Sequence, residues 1–490
     1  MTVAILEAGP EHRAGDLVSA TLWARRLKWS GARVIETGAQ PIGHGFNAGF
    51  GTGGGATHHY AVWPRMHADD FRMRTRFGRG LDWPISYDEL RPYYDAVQLE
   101  AGISGDANLE SWRPPGAAYP MGPVPVFAQG KLIARGFEKL GRKTAPLPLA
   151  VTSSPYNGRP ACIWDGWCDA GCPIGALANP LTVHLPKAIA AGATLHHTTR
   201  VTRVLTSEDG ARAIGVEYAQ ESSGARGRLE ADLVVLAAFS VENPRLLLAS
   251  ATAKHPHGLG NTHDVLGRYI MSHSAGLVYG LFEDRTEPYM GAFGGQLVNQ
   301  DSYPKETHAK RGAFGSFQWM IAQAVKPNDL LGISTTRPDL YGDAVAPFMK
   351  RAAQHFAGMT AVVEDLPVVD NRVTLTNERD AFGEPIASVA HDAAPESTKL
   401  WEAAVAEGKE VFAAAGAQEV WAGGRGPMHI MGGTLMGLDP RTSVTDSYGR
   451  VHGVGDLYVA GPGLFPTSGG VNPTFTALAL AQLATEHMAG

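Results

Sequence analysis

The first ten residues, MTVAILEAGP, place a carboxylate directly after a short apolar strand, and this limits what the chain can fold into. Thr2 to Leu6 are mostly β-forming, Glu7 follows, and a glycine and a proline end the strand. In a dinucleotide-binding βαβ unit, such a carboxylate binds the ribose hydroxyls, about 20 residues after a glycine-rich turn. No such turn stands before this strand, so on its own the stretch is better explained as an ordinary opening strand.

Length and charge exclude several classes of protein. The 490 residues suit two or three domains, or one large α/β body with an inserted substrate domain. A net charge of −6 without a block of like charge argues against a nucleic-acid surface. The chain has no apolar run of 18 residues or more, which predicts no membrane span. It shows no secretory signal, which predicts a cytoplasmic location, with export beside a signal-bearing partner as the alternative.

The periodicity of the chain predicts a mixture of strands and helices. Residues 1–40 are interpreted as one strand followed by irregular connections, and 232–237 as a buried strand. An amphipathic helix is predicted from Tyr87 to Ala101, with Ser86 as its cap. Alternating segments between residues 266 and 420 favour a mostly antiparallel sheet that forms a substrate domain.

A histidine and an asparagine near the C-terminal end are candidate catalytic residues. His429 lies in MHIMGGTLMG, and Asn472 follows 43 residues later, directly before a predicted helix. A histidine supplies a base near neutral pH, and an asparagine binds a substrate oxygen without taking its proton. Together they could remove a hydroxyl proton while a hydride leaves the adjacent carbon. The alternative is that His429 is an ordinary core histidine.

Four blocks in order resemble the glucose–methanol–choline (GMC) family of FAD-dependent oxidoreductases. They are GTGGGATHHYAVWPRMHADDF, CPIGALANPLTVHLPKAIAAGATL, DLVVLAAFSVENPRLLLAS, and the C-terminal segment that contains HIMGGTLMG and LFPTSGGVNPT. The first block is similar to the flavin-contacting loop of bacterial sugar dehydrogenases in that family. The resemblance implies an α/β fold with a Rossmann-like FAD-binding domain, and a second α+β substrate domain built on a mostly antiparallel sheet.

The resemblance also implies domain boundaries. The FAD-binding domain would comprise residues 1–65, 180–265 and 420–490, and the substrate domain 66–179 and 266–419, including the cysteine loop 162–172. The opening strand then becomes the second strand of the FAD-binding unit. We therefore expect the first strand and its G-x-G-x-x-G turn to lie upstream of Met1. The alternative is a form that lacks this central strand and binds FAD poorly.

The same resemblance assigns roles to individual residues. Glu7 would bind the ribose, the glycine loop would pass close to the isoalloxazine ring, and His58 matches a position that carries covalent flavin in some members. Whether the flavin is covalent here is left open. The implied FAD-binding residues are Glu7, Gly53, Gly54, Gly55, His58, Val201, Ala460, Gly461, Asn472, Pro473 and Thr474, and the implied catalytic residues are His429 and Asn472.

Three cysteines, Cys162, Cys168 and Cys172, are all the cysteines of the chain. Their spacing alone is compatible with an iron–sulfur cluster that needs three ligands, with zinc and a fourth ligand such as His184, or with simple burial. The sequence resembles catalytic subunits of glucose- and gluconate-type dehydrogenases, in which such cysteines hold a [3Fe–4S] cluster. That resemblance also implies a small chaperone-like subunit and a cytochrome c acceptor.

These observations predict an FAD-dependent dehydrogenase that oxidises a CH–OH group of a sugar, sugar acid or glycoside. A cluster would carry electrons to an external acceptor, which favours a dehydrogenase over an oxidase. The substrate would be a small sugar or polyol. The alternatives are a GMC-type alcohol or sterol oxidoreductase, an oxygen-using sugar oxidase, and an inactive truncated relative.

Overall fold

The structure, a computed structural model, describes residues 2–28 and 31–489. The strands are β1 (Ala4–Leu6), β2 (Val34–Thr37), β3 (Ala145–Pro146), β4 (Thr194–His196), β5 (Thr199–Thr206), β6 (Ala213–Gln220), β7 (Arg226–Glu230), β8 (Val234–Leu236), β9 (Met271–Leu281), β10 (Leu297–Asn299), β11 (Phe317–Ile321), β12 (Phe356–Val363), β13 (Arg372–Arg379), β14 (Pro385–Ala390), β15 (Glu419–Ala422), β16 (Gly426–Met431) and β17 (Leu457–Val459). The helices are α1 (Thr21–Lys28), α2 (His44–Asn47), α3 (Met73–Phe77), α4 (Tyr87–Ala101), α5 (Ala128–Lys139), α6 (Leu185–Ala190), α7 (Phe239–Ala249), α8 (Pro327–Ser334), α9 (Val345–His355), α10 (Pro395–Ala415) and α11 (Thr474–Ala489).

The largest sheet in the described part of the chain is antiparallel. Its strand order is β15–β9–β12–β11–β10–β3, and β16 also pairs with β9. Helices α5 and α10 pack against each other beside this sheet, and Phe317, Trp319 and Phe412 fill the interior between them. The sequence prediction of a mostly antiparallel second sheet is therefore confirmed.

The parallel strands belong to the other half of the α/β fold. Strand β1 pairs with β4 and β8 pairs with β17, and β14 pairs in parallel with β2. Strands β5, β6 and β7 form a separate antiparallel sheet. The predicted α/β class is confirmed, while the predicted domain boundaries and the upstream strand stay predictions. Within the described ranges, no helix combines the length and hydrophobicity that a membrane span requires.

Helix α4 forms as the sequence predicts. The Ser86 hydroxyl accepts a hydrogen bond from the Glu89 amide, and the Glu89 carboxylate accepts one from the Ser86 amide. Gly102, whose φ of +69° suits glycine, follows the last helical residue and caps the helix. It packs against α11, the helix that follows Asn472, and Tyr94 contacts Thr476 through their hydroxyls.

Two local predictions are wrong. Residues 1–40 contain helix α1 and strand β2 instead of irregular connections, because β2 pairs with β14, which lies more than 300 residues later in the chain. Such long-range pairing overrides weak local signals. The strand predicted at 232–237 covers only Val234–Leu236, and it is not buried throughout. Val235 is 42% exposed, since only its neighbours Val234 and Leu236 face the apolar core.

A buried cluster of charged residues lies beside the loop before Asn472. The Lys305 ammonium contacts Asp70 at 2.5 Å and Glu364 at 2.7 Å, with all three side chains at most 1% exposed. The Tyr303 hydroxyl donates to Asp70 and accepts from the Gly470 amide. This cluster therefore holds the main chain two residues before Asn472.

Removing the cation of this cluster is expected to destabilise the protein strongly. Lys305→Met leaves the carboxylates of Asp70 and Glu364 buried without their cation, and we expect a loss of about 3–5 kcal/mol in the free energy of unfolding. The matched control is Lys187→Met, because Lys187 pairs with Glu100 at the surface, where we expect a loss of under about 1 kcal/mol. Urea unfolding of both variants measures the difference, and equal losses would contradict this account of the cluster.

Candidate active site

His429 is the extra residue of a β-bulge. In the ladder between β16 and β9, Met428 lies opposite His273 and Ile430 lies opposite Ser272, so that His429 has no partner residue. Its φ of +58° lies in the left-handed region, which is uncommon for residues other than glycine. Its amide donates to Asn47 Oδ1 at 3.2 Å instead of to the ladder. The bulge thus re-aims the imidazole away from the regular direction of the strand.

The structure brings His429 and Asn472 into contact. Asn472 Nδ2 lies 3.2 Å from His429 Nε2, and Asn472 Oδ1 accepts a hydrogen bond from Gln318 Nε2 at 3.0 Å. The second bond orients the amide, with its NH₂ group towards the histidine. Asn472 is buried, and Pro473 and Thr474 follow it at the start of α11. The two residues predicted to be catalytic therefore share one site, while their roles stay predictions.

His273, which the sequence interpretation missed, lies on the other side of the imidazole. Its Nδ1 is 3.0 Å from His429 Nδ1, and its Nε2 is 2.7 Å from the Gly469 carbonyl. Burial lowers the pKa of His273 to about 4. His429 is partly buried, and desolvation, followed by His273, holds its pKa well below the usual range. Both rings are therefore neutral near pH 7, as a proton acceptor requires.

The low pKa of His273 predicts that acid weakens the fold. A histidine in the unfolded chain takes up a proton near pH 6.5, whereas His273 in the folded protein stays neutral down to about pH 4. The free energy of unfolding therefore decreases as the pH falls from about 6.5 to about 4, with a contribution from this residue of up to about 1.4 kcal/mol per pH unit.

Urea unfolding across this pH range, with the wild type and His273→Gln side by side, measures that contribution. The glutamine takes up no proton, so the variant should lose stability less steeply on acidification. Identical slopes would show that His273 does not titrate as described.

Glu7 contacts the segment that leads into the glycine loop. Glu7 Oε1 accepts from the amides of Gly9, at 2.7 Å, and Gly51, at 3.2 Å, and burial raises the pKa of this carboxyl. Both bonds end on Oε1. A Cβ on Gly9 would come within 2.2 Å of the Gly51 nitrogen. Gly53, with φ of +87°, and Gly54 and Gly55 continue the same compact turn.

His58 supplies the observation that best fits a bound cofactor. Its side chain is buried, and its Nε2 has no hydrogen-bond partner among the described residues. Buried polar atoms are rarely left unpaired, so an unpaired one calls for an explanation such as an absent group. Burial, followed by the charge of Lys28, lowers the pKa of His58 to about 4. A neutral imidazole with an unpaired Nε2, beside the glycine loop, fits the FAD implied for this site.

Of the other residues implied for FAD, Ala460 and Gly461 follow the parallel strand β17, and Val201 lies within the antiparallel strand β5. The Ala460 amide donates to Leu236 at the end of β8, and its carbonyl accepts from Asn243 of α7. Gly461 follows with φ of +102°. Val201 lies in β5, two residues after Thr199, whose amide donates to the Glu7 carbonyl. The structure therefore brings β5 next to Glu7 and β17 next to β8.

The three cysteines share one apolar environment. Cys168 and Cys172 are buried, and Cys162 is partly buried against the same cluster. In residues 2–28 and 31–489, no group of three or more His, Cys, Asp or Glu side chains is arranged to hold a metal ion. Burial raises the pKa of the Cys162 thiol to about 12 and raises those of the other two. The described arrangement thus lends no support to the [3Fe–4S] cluster, or to zinc with His184.

Comparisons with known proteins decide the family. Residues 44–275 match the N-terminal model of the GMC oxidoreductases, and residues 367–481 match the C-terminal model. The chain belongs to the GMC oxidoreductase family. It is thus an oxidoreductase of CH–OH donors, and the family supports FAD as its cofactor. The resemblance recognised in the sequence is confirmed.

This GMC oxidoreductase is similar to several curated dehydrogenases. It is 34% identical to 2-methyl-1,2-propanediol dehydrogenase of Mycolicibacterium austroafricanum, over 89% of this chain and 80% of that protein. It is 31% identical to the fructose dehydrogenase large subunit of Gluconobacter japonicus, over 88% and 79%. It is 26% identical to the gluconate 2-dehydrogenase flavoprotein of Pantoea cypripedii, over 89% and 78%.

A solved structure confirms the fold. An FAD-dependent oxidoreductase from Chaetomium thermophilum superposes with a TM-score of 0.68, over 99% of this chain and 94% of that one, at 14% identity. At this level of identity the likeness shows the fold alone.

Proposed function

We propose that this GMC oxidoreductase oxidises a CH–OH group of a sugar, sugar acid or glycoside, and passes the electrons to an external acceptor instead of oxygen. The contact between His429 and Asn472 at the bulge is the observation that carries this proposal. The likeness to the fructose and gluconate dehydrogenases supports the substrate class. The likeness to the propanediol dehydrogenase, at 34% identity, favours a small diol as a second candidate substrate.

The side chains of the site suit the removal of a hydroxyl proton. A substrate hydroxyl within hydrogen-bond distance of both His429 Nε2 and Asn472 Nδ2 can donate its proton to the imidazole while its oxygen accepts from the amide. Because Gln318 orients the amide, the NH₂ group faces this oxygen. Bound FAD would supply the acceptor for the hydride that leaves the carbon bearing this hydroxyl. Glu7, the glycine loop at 53–55, His58 and Ala460–Gly461 are the residues that would hold it.

The partner subunit, the electron acceptor, the cellular location and the metal cluster also belong to the proposal. A partner subunit is suggested by the likeness to a protein named as a large subunit. A cytochrome c acceptor rests on the sequence resemblance alone. A cytoplasmic location, or export together with a partner, rests on the sequence alone. The [3Fe–4S] cluster also stays a prediction of the sequence, and iron analysis of the purified protein would test it.

Loss of the proposed base should remove catalysis without removing the flavin. We expect His429→Ala to lower kcat by about 10²- to 10⁴-fold, because a positioned general base contributes on that order. Asn472→Ala should lower the rate as well. The matched control is His263→Ala at an exposed histidine. Anaerobic bleaching of bound flavin by a panel of sugars, sugar acids and small diols measures the first half-reaction directly.

Turnover assays with the same sugars, sugar acids and diols identify the type of electron acceptor. Turnover that needs an artificial dye and yields little peroxide is expected for a dehydrogenase. Peroxide formed at a comparable rate without a dye would show an oxidase instead. A protein that stays colourless after reconstitution with FAD, or a His429→Ala variant with full activity, would contradict the proposed function.

A further inference from the structure

Six hydrogen bonds run in series through the interior, from the Gly469 carbonyl to the ring of His67. His273, Asn472, Gln318 and Gln300 in this series are all buried. In order, the bonds join Gly469 O to His273 Nε2 (2.7 Å), His273 Nδ1 to His429 Nδ1 (3.0 Å), His429 Nε2 to Asn472 Nδ2 (3.2 Å), Asn472 Oδ1 to Gln318 Nε2 (3.0 Å), Gln318 Oε1 to Gln300 Nε2 (2.9 Å), and Gln300 Oε1 to His67 Nε2 (3.1 Å).

The Gly469 carbonyl sets the direction of the bonds at its end of the series. A carbonyl oxygen only accepts, so His273 must donate from Nε2. A neutral imidazole carries one N–H, so His273 Nδ1 is an acceptor and His429 Nδ1 must be the donor between the two rings. His429 Nε2 is then left with its lone pair, which the Asn472 NH₂ group faces. The amides of Asn472, Gln318 and Gln300 agree with this direction, because each directs its NH₂ group along the series towards His429.

The opposite tautomer of His429 conflicts with both neighbours. With its proton on Nε2, His429 would direct an N–H group at the NH₂ group of Asn472. Its Nδ1 lone pair would also face the lone pair of His273 at 3.0 Å. The amides of Asn472, Gln318 and Gln300 could all turn over to relieve the first conflict, but only the loss of His273 would relieve the second.

We propose that His273 is a positioning residue that fixes the tautomer of His429, so that the basic Nε2 faces Asn472 and the substrate. The proposal rests on the function proposed above for His429. When His429 takes up the substrate proton, its Nδ1–H group keeps donating to His273, which stabilises the charged ring.

The backbone around the two histidines holds this arrangement. His273 lies opposite Met428 in the ladder, directly beside the bulge, and the two rings are nearly perpendicular at 89°. The segment that carries the Gly469 carbonyl is held as well, since Ser468 donates to the Asp365 carbonyl and Gly470 to Tyr303. The charged groups that face His273 are Asp365 and Asp70.

Two variants of the holoenzyme separate a positioning role from a structural one. His273→Leu removes the acceptor for His429 Nδ1, and the Nε2–H tautomer, which cannot take the substrate proton at Nε2, becomes accessible. We expect kcat to fall by about 10²- to 10⁴-fold with KM changed much less. His273→Gln can donate from Nε2 to Gly469 and accept on Oε1 from His429, so we expect it to restore most of kcat. Flavin content and thermal midpoint are measured for both variants.

The tautomer itself is read from ¹⁵N spectra of protein labelled at the histidine rings, with the His429 signals identified by their loss in His429→Ala. We expect the Nδ1–H form in the wild type and in His273→Gln, and a mixture in His273→Leu. An Nε2–H form in the wild type, or wild-type kcat in His273→Leu, would overturn the proposal. If no sugar or diol reduces the flavin, the proposed function fails, while the spectra still decide the tautomer.

Discussion

The β-bulge at His429 is the constraint on which the candidate site depends. One extra residue in β16 places a non-glycine residue at φ +58°, and such a conformation persists only where the surroundings determine it. Three side chains from separate elements satisfy the backbone here. Asn47 accepts from the His429 amide, Ser272 donates to the Met428 carbonyl, and Ser240 donates to the Ile430 carbonyl. The bulge therefore joins α2, β9 and the first turn of α7 at one point.

These contacts link the two parts of the proposed reaction site. Asn47 ends α2, just before the glycine loop whose Gly51 bonds Glu7, so the same segment contacts the histidine and borders the implied cofactor site. On the other side, Lys305, Asp70 and Tyr303 hold Gly470 and thereby the start of α11. Two features thus fix the contact between His429 and Asn472. The strained bulge in β16 holds His429, and the buried charge cluster holds the segment before Asn472.

Much of this arrangement could be predicted from local sequence, and some of it could not. The cap of α4 and the apolar run before Glu7 are local patterns, and both predict the observed elements correctly. Strand β2 and the exposed Val235 depend on pairing with distant strands, which no local pattern reveals. His273 was missed because a histidine at the start of an apolar strand is indistinguishable from an ordinary core residue until the bulge opposite is known. The cysteine spacing, in turn, allows a cluster that the described geometry does not support.

The most direct test of the central claim is a crystal structure of the protein with FAD bound. If the bulge aims the base at the reacting carbon, the isoalloxazine ring will face His429 Nε2 and Asn472 Nδ2 across a gap that fits one substrate carbon and its hydroxyl, with Glu7 on the ribose. A flavin bound elsewhere, or a His429 side chain that turns its Nε2 away from the ring, would contradict the account.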